Sequence, residues 1–304
     1  MMELHIQGLV PAVFTPMHAD GSLNLGQIGP IVDKLIAEGV RGLYVCGSTG
    51  EGVLLSSEER RAVAEAYVRA SAKRIPVIVQ VGHNSLAEAR GLAEHAQVVG
   101  ADAISAIPPT YFKPESLEML IRCLAEITSA APELPFYYYH IPKKTGVEVD
   151  TVQLLERSAR ALPNLVGIKY SYTTVFELQA CTEVEGGRYN VLFGTDEMLL
   201  SGLAGGAHGA VGSTYNFATP HYRRIIDAFE RSDLKEAQRL QGLSVKLVRE
   251  IMNYEAMPSL KAMMKLIGLD CGASRLPLQT LSPEECEGLQ RRLESIGFFE
   301  WGRG

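Results

Sequence analysis

Residues 77–81 read VIVQV, a short apolar run that is followed by an Ala-rich helical pattern with a serine cap over 85–99. Such a nearly continuous run is typical of a parallel strand that is buried on both faces. Seven further runs, each followed by Gly, Pro or polar residues and then a helical pattern, lie at 9–14, 43–46, 103–107, 136–139, 166–170, 191–193 and 210–211. The alternation of strand and helix predicts an α/β fold with a parallel sheet.

The number and spacing of these units favour one architecture. The runs begin from 19 to 34 residues apart, close to the roughly 30 residues per unit of an eight-unit barrel. A doubly wound sheet is the alternative, but no G-x-G-x-x-G motif follows the first strand. We therefore expect a (β/α)8 barrel over residues 1–230. Three amphipathic patterns, at 232–253, 258–267 and 282–295, predict a helical C-terminal appendage over 231–304.

The composition excludes several classes of protein. The chain has 304 residues, of which 46% are hydrophobic and 21% charged, and its formal charge is −6. These values are near the average for globular proteins and unlike those of a disordered chain. No apolar stretch of about 18 residues is free of charges, so we expect no transmembrane helix. The mild acidity provides no electrostatic footprint for a nucleic-acid partner.

The N-terminus and the cysteines indicate a cytoplasmic chain. The N-terminus carries acidic Glu3 and has no basic segment, which argues against a signal peptide. The five cysteines are odd in number and form no C-x-x-C pair, so neither a disulfide framework nor a zinc ribbon is expected. No two of the seven histidines have the spacing of metal ligands, and no metal site is predicted.

In a barrel of this kind the active site lies at the C-terminal ends of the strands. The run at 43–46 is followed by the sequence GSTGE, which contains Ser48 and Thr49. The two flanking glycines would let backbone N–H groups and hydroxyls converge on one anion. A tight turn with a serine helix cap explains the same residues equally well.

Lys169 lies inside the run at 166–170, where a charged side chain is unusual because burying an ammonium group is costly. Desolvation would lower its pKa and release an amine nucleophile. A lysine in this position suits Schiff-base chemistry on a carbonyl. The alternative is a lysine at a strand end whose side chain reaches solvent.

Polar side chains also end three other runs. Alternation in the run at 136–139 places Tyr137 and Tyr139 on one face and Tyr138 on the other, and Tyr139 lies nearest the C-terminal end. The last two runs lead into the sequences GTDE and GSTYN, whose polar groups would bind hydroxyls or merely favour a helix N-terminus. Together with the lysine and the anion loop, these residues predict an enzyme that forms an imine with a 2-oxo acid and needs no separate cofactor.

The motifs GSTGE after the second strand, Y-x-I-P after the fifth and GIK after the sixth resemble the class I pyruvate-dependent aldolase family, which includes dihydrodipicolinate synthases and N-acetylneuraminate lyases. The resemblance covers essentially the whole chain in order and spacing. It implies that Lys169 forms the imine, that Ser48 and Thr49 hold the pyruvyl carboxylate and that Tyr139 shuttles the proton. It also implies that Tyr111 enters a neighbouring subunit's site in a homo-oligomer, commonly a homotetramer.

Three segments resemble the sialic-acid branch of this family: FYYYHIP, GTDE and GSTYN. The resemblance implies that Gly194, Asp196, Glu197 and Ser213 surround the hydroxylated tail of a sugar. The implied reaction is reversible retro-aldol cleavage of a sialic acid to pyruvate and N-acetylmannosamine.

Two positions depart from that branch. Lys144 stands where synthases have an arginine for a second carboxylate and lyases usually have an apolar residue; its cation would suit an acid-bearing aldehyde or a sugar acid. Ser171 replaces a threonine but keeps the hydroxyl, and Tyr172 follows where other lyases have Asp. Three alternatives therefore stay open: another lysine-dependent 2-keto acid aldolase or dehydratase, a dihydrodipicolinate synthase, and a barrel that binds a keto or sugar acid without converting it.

Overall fold

The computed structural model describes residues 4–302. Residues 1–3 and 303–304 lie outside the described residues. Residues 1–3 begin the N-terminal stretch for which no signal peptide is expected, and they also begin the predicted barrel domain. Residues 303–304 end the predicted C-terminal appendage.

Eight parallel strands form a single sheet. They are β1 (Gly8–Pro11), β2 (Leu43–Val45), β3 (Val77–Gln80), β4 (Ala103–Ala106), β5 (Phe136–His140), β6 (Leu165–Tyr170), β7 (Asn190–Phe193) and β8 (Gly209–Gly212). Their order is β1-β8-β7-β6-β5-β4-β3-β2. A parallel bridge between Ala12 and Tyr44 brings the two edge strands together, and the Val13 N–H donates to the Tyr44 carbonyl at 3.0 Å. The predicted (β/α)8 barrel is confirmed.

Helices follow the strands and continue beyond the last one. Those between the strands and after β8 are α1 (Ile28–Ala37), α2 (Ser57–Ser71), α3 (Leu86–Val98), α4 (Leu117–Thr128), α5 (Pro142–Thr145), α6 (Thr151–Ser158), α7 (Val175–Glu183), α8 (Leu199–Ala204) and α9 (Tyr215–Glu230). The C-terminal ones are α10 (Leu234–Ile251), α11 (Ala256–Leu266), α12 (Pro283–Ser295) and α13 (Phe298–Trp301). The one-turn helices α5 and α13 were not predicted, because four residues are too few to show a helical period. Among residues 4–302, no helix is long and apolar enough to cross a bilayer.

Local sequence explains where the longer helices begin. Before α2, the Ser56 Oγ accepts a hydrogen bond from the Glu59 N–H at 3.2 Å, and the Glu59 carboxylate accepts one from the Ser56 N–H at 2.8 Å. Ser282 and Glu285 form the same reciprocal pair before α12. Such caps satisfy N–H groups that have no partner inside the helix, and each contributes about 1 kcal/mol.

The apolar core has two layers, one inside the barrel and one between the strands and the helices. Tyr137 and Tyr139 belong to the interior layer and Tyr138 to the outer one, as the alternation predicts. Lys169 pairs in register with Tyr139 on one side and Leu192 on the other. Because both partners face the interior, the lysine also lies inside the barrel.

The C-terminal helices are fastened to the loop after β2 by a buried ion pair. The Lys261 Nζ on α11 lies 2.6 Å from the Glu51 Oε1, and these two side chains are 3% and 0% exposed. The Arg275 N–H donates to the other oxygen of Glu51 at 2.8 Å. The boundary predicted after residue 230 falls between α9 and α10. These two helices pack directly against each other, so the division into two domains stays a prediction.

Candidate active site

Lys169 is the central residue of the barrel interior, and it is 3% exposed. Its Nζ lies 3.8 Å from the ring centroid of Tyr44 and 4.0 Å from that of Tyr139. Within residues 4–302 it forms no ion pair, and Asp196 is the carboxylate that attracts it from a greater distance. The ammonium group is thus surrounded by aromatic faces instead of a counter-ion.

Burial lowers the pKa of Lys169, while attraction to Tyr139 and to Asp196 acts in the opposite direction. A lower pKa raises the fraction of neutral amine near neutral pH. The neutral amine is the form that attacks a carbonyl carbon. The environment therefore favours nucleophilic chemistry at this nitrogen.

The loop after β2 has a backbone shape that suits an anion. Thr49 is 7% exposed and Ser48 is exposed, and the Thr15 hydroxyl anchors the loop by donating to the Gly50 carbonyl at 2.7 Å. Glu51 adopts the left-handed conformation, with a φ of 54°. In the described part of the chain, no acceptor receives the N–H groups of Ser48 or Thr49. These groups are free to bind a carboxylate.

Asp196 follows β7 and is held by the loop after β8. Its Oδ2 accepts hydrogen bonds from the Thr214 N–H at 2.8 Å and from the Thr214 hydroxyl at 2.6 Å. Burial raises the pKa of Asp196 to about 6, although the bonds from Thr214 oppose this change. A Cβ at Gly212 would lie 1.7 Å from the Asp196 Oδ1, so only glycine permits this approach.

A cleft of about 310 Å³ opens beside Asp196 at the C-terminal end of the strands. It brings together six of the residues predicted from sequence: Lys144, Ser171, Gly194, Asp196, Glu197 and Ser213. The facing wall is apolar and comes from the C-terminal helices, through Val248, Ile251, Met252, Ala256 and Leu260. The cleft therefore has polar and charged groups from the barrel on one side and an aliphatic surface on the other.

Ser171 and Gly194 shape the floor of this cleft. The Ser171 Oγ is buried and has no hydrogen-bond partner among the described residues. A Cβ at Gly194 would lie 1.9 Å from that oxygen, so only glycine permits this close approach. Nearby, the Tyr172 hydroxyl donates to the Glu148 carboxylate at 2.8 Å. The Ser171 hydroxyl thus lies buried beside the cleft with its hydrogen-bonding capacity unused.

Tyr111 lies away from these groups in the single protomer. Its side chain is 80% exposed and packs edge-on against the ring of Phe112, which is 86% exposed. The Asn84 Oδ1 fixes the backbone by accepting from the Tyr111 N–H at 3.1 Å. Insertion of Tyr111 into a neighbouring subunit stays a prediction.

Three further residues that belong to the site were missed from the sequence. Tyr44 contacts Lys169, Thr214 holds Asp196, and Lys261 holds Glu51. Two of them carried a signal, since Tyr44 lies in a predicted strand and Thr214 lies in the GSTYN segment, where only Ser213 was assigned to the site. The face that Tyr44 occupies depends on the register of β2 against its neighbours, which the sequence does not display.

A larger cavity, of about 700 Å³, lies at the opposite end of the barrel, where β1 begins. It is lined by His5, His208, Arg41 and Arg223 among others, and contains none of the residues predicted for the site. The catalytic face of such barrels is the C-terminal one, so we assign the chemistry to the end of the barrel where the smaller cleft opens. Lys169, Tyr139, Ser48 and Thr49 are not among the residues that line this cleft. Within residues 4–302, no cluster of three or more His, Cys, Asp or Glu could hold a metal ion.

Comparisons with known proteins agree with this geometry. The model of the dihydrodipicolinate synthetase family matches residues 5–296. The N-acetylneuraminate lyase of Pongo abelii is 40% identical over 301 residues, which cover 97% of this chain and 94% of the relative.

Two solved structures have the same fold throughout. The N-acetylneuraminate lyase of Proteus mirabilis has a TM-score of 0.94 and 38% identity, covering 97% of this chain and all 100% of the other. The lyase, or sialic acid aldolase, of Aliivibrio salmonicida has a TM-score of 0.94 and 36% identity, covering 97% and 98%. The match over nearly the full length confirms the relationship that the motifs predicted: the chain belongs to the dihydrodipicolinate synthetase family.

Proposed function

We propose that this protein is an N-acetylneuraminate lyase, which cleaves a sialic acid reversibly to pyruvate and N-acetylmannosamine. The observation that carries the proposal is the buried Lys169 amine, which has no ion-pair partner among the described residues and is attracted by Asp196, a residue that lines the polar cleft. The similarity to lyases over 97% of the chain supports the choice of substrate.

The first step is imine formation. The lone pair of the Lys169 Nζ attacks the keto carbon and a C–N bond forms. The C–O bond then breaks, and the keto oxygen leaves as water with one proton from the amine and one from the Tyr139 hydroxyl, which becomes a phenolate. The resulting iminium is the electron sink, so the reaction needs no separate cofactor. The N–H and hydroxyl groups of Ser48 and Thr49 hold the adjacent carboxylate and fix the keto carbon in front of the amine.

The second step breaks the C3–C4 bond. The Tyr139 phenolate left by the first step accepts the proton of the C4 hydroxyl, the C4 oxygen becomes the carbonyl of the departing aldehyde, and the bond electrons move into the iminium to give an enamine. Protonation at C3 and addition of water then release pyruvate and regenerate the amine. In condensation the same groups act in reverse, and Tyr139 returns the proton.

The cleft beside Asp196 accommodates the hydroxylated tail of the sugar. The Asp196 and Glu197 carboxylates accept hydrogen bonds from hydroxyls, and the Ser171 and Ser213 hydroxyls donate or accept. Gly194 leaves room for the chain of the sugar, because a side chain there would occupy the space above Ser171. A sugar acid bound in this way has its keto carbon at Lys169 and its polyol end in the cleft.

A second candidate substrate is favoured by one observation. Lys143 and Lys144 are exposed, line the same cleft, and form no ion pair among the residues that the structure describes. A free cation at this position would attract an aldehyde that carries its own acid group. Another lysine-dependent 2-keto acid aldolase or a dihydrodipicolinate synthase is therefore the alternative function.

The proposal also covers the oligomeric state and the cellular compartment. The exposed pair Tyr111 and Phe112 supports a homo-oligomer, for which we propose a homotetramer in which Tyr111 reaches a neighbour's site. We place the enzyme in the cytoplasm, where five free cysteines would stay reduced.

The test is pyruvate release from N-acetylneuraminate, compared with release by a Lys169→Ala variant. Release above that control supports the lyase, and equality with the control contradicts it. A panel of 2-keto-3-deoxy sugar acids, together with pyruvate plus aspartate semialdehyde, separates the alternatives. Preference for a dicarboxylate product that disappears in Lys144→Ala would favour the second function. Sedimentation of wild type and Tyr111→Ala tests the oligomer.

A further inference from the structure

Tyr44 and Tyr139 form a two-sided aromatic cage around the Lys169 ammonium. The Nζ lies 3.8 Å from one ring centroid and 4.0 Å from the other. The two rings meet edge to face, with centroids 5.6 Å apart and planes at 78°. Both distances are well inside the range in which an aromatic face attracts a cation. Tyr139 already has a role in the proposed reaction, whereas Tyr44 has none.

The ring of Tyr44 is fixed from several strands. Its side chain is fully buried on β2, and its hydroxyl donates to the Ser105 Oγ on β4 at 3.0 Å. Its backbone forms the bridge with Ala12 that joins the edges of the barrel. A ring held in this manner is pre-organised, so its attraction for a cation costs no ordering during the reaction.

The other charged and titratable groups facing Lys169 do not replace this contact. They are Tyr139 from β5 and Asp196 from the end of β7. Asp196 forms no ion pair with the lysine, and one of its oxygens is already engaged by Thr214. Tyr139 also acts on the amine through its hydroxyl, whereas the Tyr44 hydroxyl is directed to Ser105, so Tyr44 stabilises a positive charge at this nitrogen through its ring face alone.

We propose that Tyr44 is a positioning residue, whose ring face stabilises the positive charge on the Lys169 nitrogen and aims that nitrogen at the keto carbon. The iminium keeps its positive charge on the same nitrogen as the ammonium, so the ring that binds one binds the other. Its hydroxyl serves to anchor the ring through Ser105. This role rests on the imine chemistry proposed above.

The simplest competing explanation is that Tyr44 only fills the core. The barrel interior offers a matched control in Tyr137, another fully buried tyrosine. Its hydroxyl lies 2.8 Å from the Asn190 Oδ1 and 3.0 Å from the Leu4 carbonyl oxygen, either of which can accept its single proton, and its ring is not among those contacting Lys169. Tyr44→Leu and Tyr137→Leu remove the same group from the same layer, but only the first removes a cation–π contact.

The experiment is borohydride trapping of the pyruvate imine on the full chain, followed by intact mass, at a series of pyruvate concentrations and pH values. For Tyr44→Leu we expect the midpoint of the pH dependence to fall by about one pH unit. Above that midpoint, where the free amine is neutral and only the iminium is charged, we expect the half-saturating pyruvate concentration to rise by roughly tenfold or more. For Tyr44→Phe, which keeps the ring, and for Tyr137→Leu, we expect both quantities to stay near wild type.

A second series guards against loss of folding. Phenylalanines with increasing ring fluorination at position 44 keep the shape of the ring but weaken its negative face. A stepwise rise in half-saturating pyruvate along the series supports the proposal. A flat series, or equal behaviour of Tyr44→Leu and Tyr137→Leu, overturns it. If wild type itself traps no pyruvate, the proposed function fails, which is a separate outcome.

Discussion

Lys169 and Lys261 are both 3% exposed, yet they lie in contrasting surroundings. Lys261 is on a C-terminal helix, where it pairs with Glu51 at 2.6 Å and donates to the Ala273 carbonyl at 2.6 Å. Lys169 is on a barrel strand, where it has two aromatic rings and no ion pair among the described residues. Burial alone therefore does not distinguish a reactive lysine from a structural one; the partner does.

The physical reason lies in how each site compensates for lost hydration. A carboxylate at salt-bridge distance stabilises the ammonium form and commits the nitrogen to a fixed contact. Aromatic faces stabilise a cation less strongly, and they leave the nitrogen lone pair accessible once the proton is lost. The first arrangement holds the C-terminal helices against the loop after β2, and the second suits the reactive amine that we propose.

The largest expected effect comes from removing the reactive lysine. Lys169→Met should lower kcat/KM for pyruvate release by roughly a thousandfold or more, because no imine forms. Its free energy of unfolding should equal or exceed that of wild type, because a buried cation without an ion pair is gone. Steady-state kinetics and urea denaturation measure the two quantities. A marked loss of stability would mean that Lys169 is structural after all.

Removing the paired lysine, Lys261, should have the opposite effect and lower the stability of the fold. Lys261→Met leaves the Glu51 carboxylate buried without its cation and should lower the free energy of unfolding by about 3–5 kcal/mol. The double variant Glu51→Gln, Lys261→Met should recover part of this loss, because no uncompensated charge remains. Urea denaturation of wild type, the double variant and the two single variants, Lys261→Met and Glu51→Gln, forms a double-mutant cycle. Additive losses would show that the two residues do not depend on each other.

Protonation of Asp196 should produce a smaller, pH-dependent effect. Its pKa is raised by burial to about 6, so lowering the pH below 6 protonates it and weakens its hold on substrate hydroxyls. We expect KM for N-acetylneuraminate to rise by roughly tenfold per pH unit below that point. Asp196→Asn should have a KM that is high at neutral pH and no longer shows this rise. Kinetics between pH 5 and 8 test this, and an unchanged slope in the variant would assign the titration elsewhere.

The same group affects stability with a defined sign. The folded pKa of Asp196 lies above the ordinary aspartate value of 3.8, so the native state binds the extra proton between about pH 4 and 6. Its contribution to stability is complete below pH 4 and is lost as the pH rises through 6. Replacement by asparagine should remove this component from the pH profile of unfolding.

The smallest expected effect comes from an exposed ion pair. Arg69 and Glu65 lie 3.6 Å apart on α2, with side chains 72% and 55% exposed. Arg69→Ala should change the free energy of unfolding by less than about 0.5 kcal/mol, because water already solvates both charges. Comparing the losses in free energy of unfolding for Arg69→Ala and Lys261→Met tests whether burial is the reason that one ion pair stabilises the fold more than the other. An effect as large as that of Lys261→Met would contradict this explanation.

Much of the fold was predictable because each strand has its own local signal. The runs at 77–81 and 136–139 coincide closely with β3 and β5, since strands buried on both faces are apolar over their whole length. The buried Lys169 was visible as a charge within such a run. Tyr44 and Thr214 were not identified, because their roles depend on contacts between segments far apart in the chain.

By itself, the sequence determined the strand–helix order, the family and the two kinds of residue that imine chemistry needs, an amine and a phenol. These depend on local apolar runs, caps and motifs that are contiguous in the chain. Only the tertiary structure decided which face each strand turns inward, and hence that Tyr44 meets Lys169 while Glu51 meets Lys261. Register and helix packing set those pairings, and they arise from the free energy of the assembled barrel rather than from any single segment.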